Sequence, residues 1–189
     1  MLNKGDRPYM KEQAYQQALA FNPNIVVIKL GTNDSKSFNW VHKADFIKDT
    51  QTMIDAFKAL PSQPEIYLCY PSKAYLTGES INDDIISKEI IPMIKKVAKK
   101  NKLPVIDLHS AMDGMPELFP DHIHPNEEGA KVMAKAVYDA IANKRKRRSR
   151  QELISQKETF YRLSALFIRH FVVLFKTINY FCSQTLSKQ

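Results

Sequence analysis

Three short apolar runs punctuate the chain: NIVVIKL (24–30), EIYLCY (65–70) and LPVIDL (103–108). Their apolar residues are continuous rather than alternating, the pattern of strands buried on both faces of a parallel sheet. β-branched and aromatic residues fill them, as a packed pleated surface favours. Between the runs the apolar spacing widens to a helical period. Residues 8–21 carry Tyr9, Ala14, Leu19 and Phe21 among good helix formers, and Pro23 ends the segment. Residues 44–59 place Phe46, Met53, Ile54 and Phe57 on one face and stop before Pro61. Residues 81–100 give Ile85, Ile86, Ile90, Ile94 and Val97, with lysines at the C-terminal end, where the helix dipole favours cations. Residues 127–142 give Ala130, Met133, Ala134, Val137 and Ile141. Asn126 is the expected N-cap of that helix, with Glu127 and Glu128 in the first turn.

The order α-β-α-β-α-β-α predicts an α/β domain with a parallel sheet and right-handed crossovers. Three strands are few for such a sheet, and no strand precedes the first helix. The expectation is an α/β domain over 1–142 without its first one or two strands. The run NKRKRRSR closes it and opens a basic linker over 143–159. Farther on, Phe160, Leu163, Phe167, Phe171, Leu174, Ile178 and Phe181 fall at helical spacing, so 160–189 reads as an amphipathic helical tail. Arg162, Arg169 and Lys176 recur on another face, and with His170 they interrupt any clean transmembrane span. Three readings of the tail stand together: a helix packing on the domain or self-associating, a helix lying on an anionic membrane surface through 160–181, or a segment foreign to the domain.

Charge sharpens this division. The net charge is +8, but from Lys144 onward there are 11 Lys+Arg against 2 Asp+Glu, leaving 17 against 18 in the first 143 residues. The basicity belongs to the tail, and the body gives no electrostatic reason to expect nucleic acid as a partner. Two cysteines, Cys69 and Cys182, make no disulfide framework. Cys69 lies mid-strand and is expected to be a buried, inert thiol. The N-terminal residues contain no apolar stretch of the secretory kind.

Two stretches carry candidate chemistry. KLGTND (29–34) closes the first strand, at the carboxyl end where open α/β sheets bind ligands. Gly31 permits a sharp turn there. Asn33 would present a neutral amide donor suited to an oxyanion, or would bond its own backbone as a turn residue. FPDHIHPN (119–126) follows the third strand. If Asp121 folds back onto one ring nitrogen of His124, it fixes the tautomer and leaves the other nitrogen as a general base. His122 and His124 with Asp121 also resemble part of a metal cluster, but no further ligand group accompanies them. His42 and His109 are single histidines suited to loop or strand-end roles.

Together these stretches resemble the SGNH hydrolase (GDSL-type esterase/lipase) family, over roughly residues 1–142, in its branch that deacylates carbohydrates. The resemblance rests on Gly-Thr-Asn-Asp after a strand and Phe-Pro-Asp-x-x-His-Pro-Asn-x-x-Gly-Ala before a helix. It implies a flavodoxin-like three-layer α/β/α sandwich with a parallel sheet. It also implies ester hydrolysis without metal or organic cofactor, on a small-molecule or polysaccharide ester. Carried over by motif, Asn33 is the oxyanion-hole donor, His124 the general base and Asp121 its orienting acid. Gly31, Asp34 and Trp40 are the candidate substrate-binding residues. Asp34 fixes the turn, and Trp40, with Asn39, either lines a sugar pocket or forms a hydrophobic lid. Many members are exported, although nothing in the chain specifies a compartment.

One part of the family pattern is not matched. Its nucleophilic Ser lies in a Gly-Asp-Ser block ahead of the Gly-x-Asn-Asp block, and the 30 residues before Gly31 contain no Ser. Gly5-Asp6 is followed by Arg7 and reads as a coincidence. Ser35, Ser72 and Ser110 follow strands, yet none stands where the family places its nucleophile. The expectation is an SGNH domain lacking its Ser block and showing little activity alone. The alternative is an inactive fragment serving as a membrane-surface or protein-interaction module.

Overall fold

The computed structural model describes residues 1–78 and 80–185, with side chains described up to residue 159. It divides into two units, 1–140 and 141–189. In the first unit a 3-10 turn at Tyr9–Lys11 leads into α1 (Gln13–Ala20), and β1 (Ile25–Ile28) follows. A short α2 (Ser37–Trp40) and α3 (Phe46–Lys58) lead to β2 (Glu65–Tyr70). Next come α4 (Asp83–Ile85), one π turn (Ile86–Ile90) and α5 (Ile91–Asn101). After β3 (Val105–Asp107) the chain makes the short α6 (Leu108–Ala111) and then enters α7 (Glu127–Thr185). The three strands are parallel in the order β1-β2-β3, with Val26 opposite Ile66 and Cys69 opposite Ile106. The parallel α/β expectation therefore holds.

Local chemistry explains the boundaries. Asn82 caps α4 by accepting from the backbone N–H groups of Asp84 and Ile85 at 3.0 and 3.3 Å. The π turn ends just before Pro92. A proline lacks the N–H that an α-helix interior needs and crowds the carbonyl one turn back, which a wider turn relieves. Lys102 adopts the left-handed conformation (φ 54°) and stops α5. Asn126 caps α7 as expected, its side chain accepting from the Gly129 N–H at 2.9 Å. The tight packing there requires glycine at 129, because a Cβ would stand 2.8 Å from the Pro125 Cβ.

The core lies between the sheet and α3 and α5, which pack on each other. Phe46, Ile54, Ile86 and Ile90 are fully buried in it, and Cys69 is buried too. Burial pushes the Cys69 thiol up to about 11, in keeping with an inert thiol. β2 is buried at Ile66, Tyr67, Leu68 and Cys69 alike, as a continuous apolar run predicts. β1 differs from that expectation. Val26 and Ile28 are buried while Val27 is 37% exposed, because β1 is an edge strand. A groove of about 490 Å³ runs along it, walled by Phe21, Val27, Met53 and Phe57 among others.

The second unit continues α7, and the run expected to be a linker at 143–159 is helical. No Gly or Pro interrupts the sequence after Gly129, and Arg148 pairs with Glu152 one turn on at 3.1 Å. The side chains on which the amphipathic reading of 160–189 rests lie outside the described residues. Among the described residues no helix is long and apolar enough to cross a membrane.

Phe46 is the test of this core, since it is fully buried and meets Trp40 edge-on at 5.7 Å. Phe46→Ala is expected to lower unfolding free energy by about 3–5 kcal/mol, measured by urea denaturation followed by circular dichroism.

Candidate active site

The loops at the carboxyl ends of the strands meet in a pocket of about 240 Å³. Gly31, Thr32, Asn33 and Asp34 line it from the β1 side, Ser72 from the β2 side, and Ile123, His124 and Pro125 from the loop after β3. The two stretches singled out in the sequence are thus brought to one cavity.

His124 and Asp121 make the expected pair. His124 Nδ1 and Asp121 Oδ2 lie 2.6 Å apart, so with the carboxylate ionised Nδ1 carries the proton and donates it. Asp121 Oδ1 also accepts from the backbone N–H groups of His124 at 2.6 Å and Ile123 at 3.0 Å. The His124 backbone N–H, the His124 ring and the Ile123 N–H, in that order, hold the Asp121 carboxyl well below the usual carboxylate range. The orienting acid therefore stays charged wherever imidazole titrates. His124 is largely exposed, and among the described residues its Nε2 has no hydrogen-bond partner. That nitrogen is left free for a further hydrogen bond.

The β1 loop is built by sterics and backbone capture. Gly31 sits at φ +131°, and a Cβ there would come within 2.9 Å of the Pro71 ring and 3.2 Å of Ile90. Only glycine fits so close an approach. Asn33 is exposed on a 3-10 turn (Asn33–Ser35) and lines the pocket with a free amide among the described residues. Asp34 is buried, and its carboxylate accepts from the Met1 amino group at 3.0 Å and the Leu2 N–H at 2.7 Å. Its role is to fix the turn against residues 1–2. Trp40 is not brought to the pocket: it is 6% exposed and packs on Phe46 in the core. Its neighbour Asn39 is buried as well, accepting from the Asp6 N–H and donating to the Asp6 carboxylate and the Asn33 carbonyl.

Among the candidate serines, Ser35 is fully buried and its hydroxyl is committed. It donates to the Thr32 carbonyl at 2.7 Å and accepts from the Asn82 N–H at 3.0 Å. Ser110 bonds Asp107 at the start of α6 and is absent from the pocket lining. Ser72 does line the pocket, but is only 2% exposed. Among the described residues no His, Cys, Asp and Glu side chains gather in a group of three that could hold a metal.

No local sequence signal marks the ties that hold the two loops in place. The Ser35 hydroxyl links the Asn33 turn to Asn82. Next to it, Asp83 accepts from the Ala74 N–H at 2.9 Å and from Lys73 at 3.0 Å, and its carboxylate meets His109 Nε2 at 3.1 Å. Tyr75 then donates its N–H to the His122 carbonyl at 2.8 Å, and its hydroxyl bridges the Met112 carbonyl and the Met115 N–H, each at 2.7 Å. Its ring leans on buried Phe119 at 5.2 Å. Residues 72–78 and 80–83 thus form a truss between the Asn33 turn and the His124 loop. His109, read as a strand-end residue, is part of it.

With this geometry established, comparison with known proteins identifies the family. The profile of the GDSL-like lipase/acylhydrolase family matches residues 4–132, so the chain belongs to that family. An acetylxylan esterase of Xylanibacter ruminicola is 46% identical over 160 residues, which take in 75% of this chain and 33% of that protein. The chain therefore spans about a third of the length of that curated relative. The lipase/acylhydrolase of Enterococcus faecalis superposes with a TM-score of 0.56 at 26% identity, covering 71% of this chain and 67% of that one. The acetyl xylan esterase AlAXEase shares the fold with a TM-score of 0.57 at 23% identity, covering 70% and 74%.

The truss is open to a pH test. Burial raises the Asp83 pKa, but bonds from His109, Ala74 and Lys73 outweigh it and leave the carboxyl below the ordinary 3.8. A depressed folded pKa contributes stability above about pH 4 that is lost as pH falls through the folded value. Asp83→Asn is expected to destabilise by about 1–3 kcal/mol at neutral pH and to flatten the acid limb of a stability-against-pH curve from urea unfolding.

Proposed function

We propose that residues 1–140 carry the base and oxyanion half of a serine ester hydrolase acting on O-acetylated carbohydrate. In this reading the nucleophilic serine comes from a segment outside these 189 residues. The observation that carries it is the convergence of Asn33 and the Asp121-oriented His124 on one pocket, with the His124 Nε2 open. In the reaction, His124 Nε2 takes the proton of the attacking hydroxyl as the acyl carbonyl is attacked. The Asn33 amide donates to the developing oxyanion, and His124 returns the proton to the departing sugar alkoxide. Water then repeats the cycle on the acyl-enzyme, releasing acetate. Asp121 remains ionised throughout and stabilises the imidazolium. Family membership supports the ester as substrate, and the acetylxylan esterase relative supports an acetylated sugar.

Ser35 has spent its hydroxyl on structure, and Ser72, although in the pocket wall, is only 2% exposed. The chain alone is therefore expected to turn over p-nitrophenyl acetate at the rate of free imidazole. A version joined to a serine-bearing segment should gain turnover that His124→Ala cuts by about 10²–10⁴-fold. Robust turnover by the chain alone, abolished by His124→Ala, would show that the nucleophile is already present, and its loss in Ser72→Ala would identify it.

A further inference from the structure

The basic run after the α/β domain takes no part in the esterase reading, and the family profile ends at residue 132. Residues 143–159 nevertheless belong to the single helix α7, and every one of them is exposed. They carry seven Lys+Arg against two Asp+Glu. So dense a run of like charge opposes its own helix, because cations three and four residues apart repel one another. An anionic surface beside the helix would remove that repulsion.

The helix sorts these residues into two sides. Lys146, Arg150, Leu153, Ile154 and Lys157 follow the spacing i, i+4, i+7, i+8, i+11 and so share one side. Leu153 and Ile154 are 53% and 48% exposed there. Among the described residues Lys146, Arg150 and Lys157 make no ion pair. Glu152 falls on the other side, one turn from Arg148, and pairs with it at 3.1 Å. One side thus meets part of its charge internally, while the other keeps unpaired cations around an apolar pair. A nucleic-acid backbone and an anionic bilayer both attract cations at this density. The apolar pair decides between them. A phosphate backbone gives Leu153 and Ile154 nothing to bury against. A bilayer takes apolar side chains below its headgroups, while long cationic side chains reach up to the phosphates. A second copy of the same face is disfavoured, because its cations would repel.

We propose that this side of α7, from Lys146 to Lys157, is a docking surface for an anionic lipid bilayer. Lys146, Arg150 and Lys157 meet the headgroup phosphates, and Leu153 and Ile154 insert beneath them. With cations on both sides, the helix lies along the bilayer surface rather than through it. The face precedes 160–181, the segment whose sequence pattern suggested membrane contact, and rests on different residues. It is independent of the catalytic reading.

The test is binding by the full chain. The probes are vesicles of phosphatidylcholine, vesicles of phosphatidylcholine mixed with phosphatidylglycerol, and a DNA duplex of mixed sequence. Co-sedimentation gives the vesicle affinities and fluorescence anisotropy the DNA affinity. The mixed vesicles are expected to bind at least about tenfold more tightly than the neutral ones. Lys146→Gln/Arg150→Gln/Lys157→Gln should weaken that binding by about 10–100-fold, since each cation near an anionic surface contributes about fivefold. Leu153→Gln/Ile154→Gln should weaken it by about tenfold. Glutamine is a good helix former, so α7 is retained in both variants, which circular dichroism checks. Lys95→Gln/Lys96→Gln/Lys100→Gln removes the same charge from α5 and should leave binding within about twofold, because screening confines the effect of an exposed charge to its surroundings. Equal binding of both kinds of vesicle, DNA bound as tightly as the mixed vesicles, insensitivity to either α7 variant, or an equal loss in the α5 variant overturns the inference. None of these outcomes bears on the esterase reading.

Discussion

Four consecutive side chains of β2, from Ile66 to Cys69, are each 3% exposed or less. A strand buried on both faces needs partner strands beside it, because its backbone groups have no water to bond. Parallel pairing to β1 and β3 meets that demand, and it forces the chain to return across the sheet between strands. All three strands then end at the same edge. The Asn33 turn, the Ser72 loop and the His124 loop share one pocket because β2 is the middle strand of a parallel sheet.

Strand direction alone would leave these loops loose. Buried Ala74, Ile81, Met112 and Phe119 anchor them, and polar ties hold them to one another through partners far away in sequence. Ser35 reaches Asn82, Asp83 reaches His109, and Tyr75 reaches Met112, Met115 and His122. Such bonds contribute only about 0.5–1.5 kcal/mol each, but an unsatisfied buried partner costs more, so the set is cooperative. Asp121 differs in kind. It is exposed and holds His124 through a local turn that includes the left-handed His122 (φ 66°). The His124 ring is oriented locally, while the truss ties its loop toward the Asn33 turn.

The distribution of charge follows the same division. Carboxylates near the site are occupied: Asp34 by the amino-terminal segment, Asp6 by Asn39 and Lys36, and Asp121 by His124. What remains exposed at the mouth is Arg7, Lys29 and the His124 ring.

Much of this was legible in the residue order. Continuous apolar runs marked the strands, the 3.6-residue spacing marked the helices, and Asn126 marked the start of α7, because each depends on neighbours a few positions away. Asp121 and His124 were legible for the same reason, as a pair joined by a three-residue turn. The partners of Ser35, Asp83 and Tyr75 were not, since nothing near them in sequence encodes a contact across the sheet. Trp40 shows the limit most clearly. Its position after the oxyanion strand suggested a sugar contact, yet the nearby ring of Phe46 and the apolar core drew it inward. The sequence by itself determined the elements and the local chemistry of the base. Only the tertiary structure decided which side chains face the pocket and which are spent on holding it, because that choice turns on burial and on distant hydrogen-bond partners.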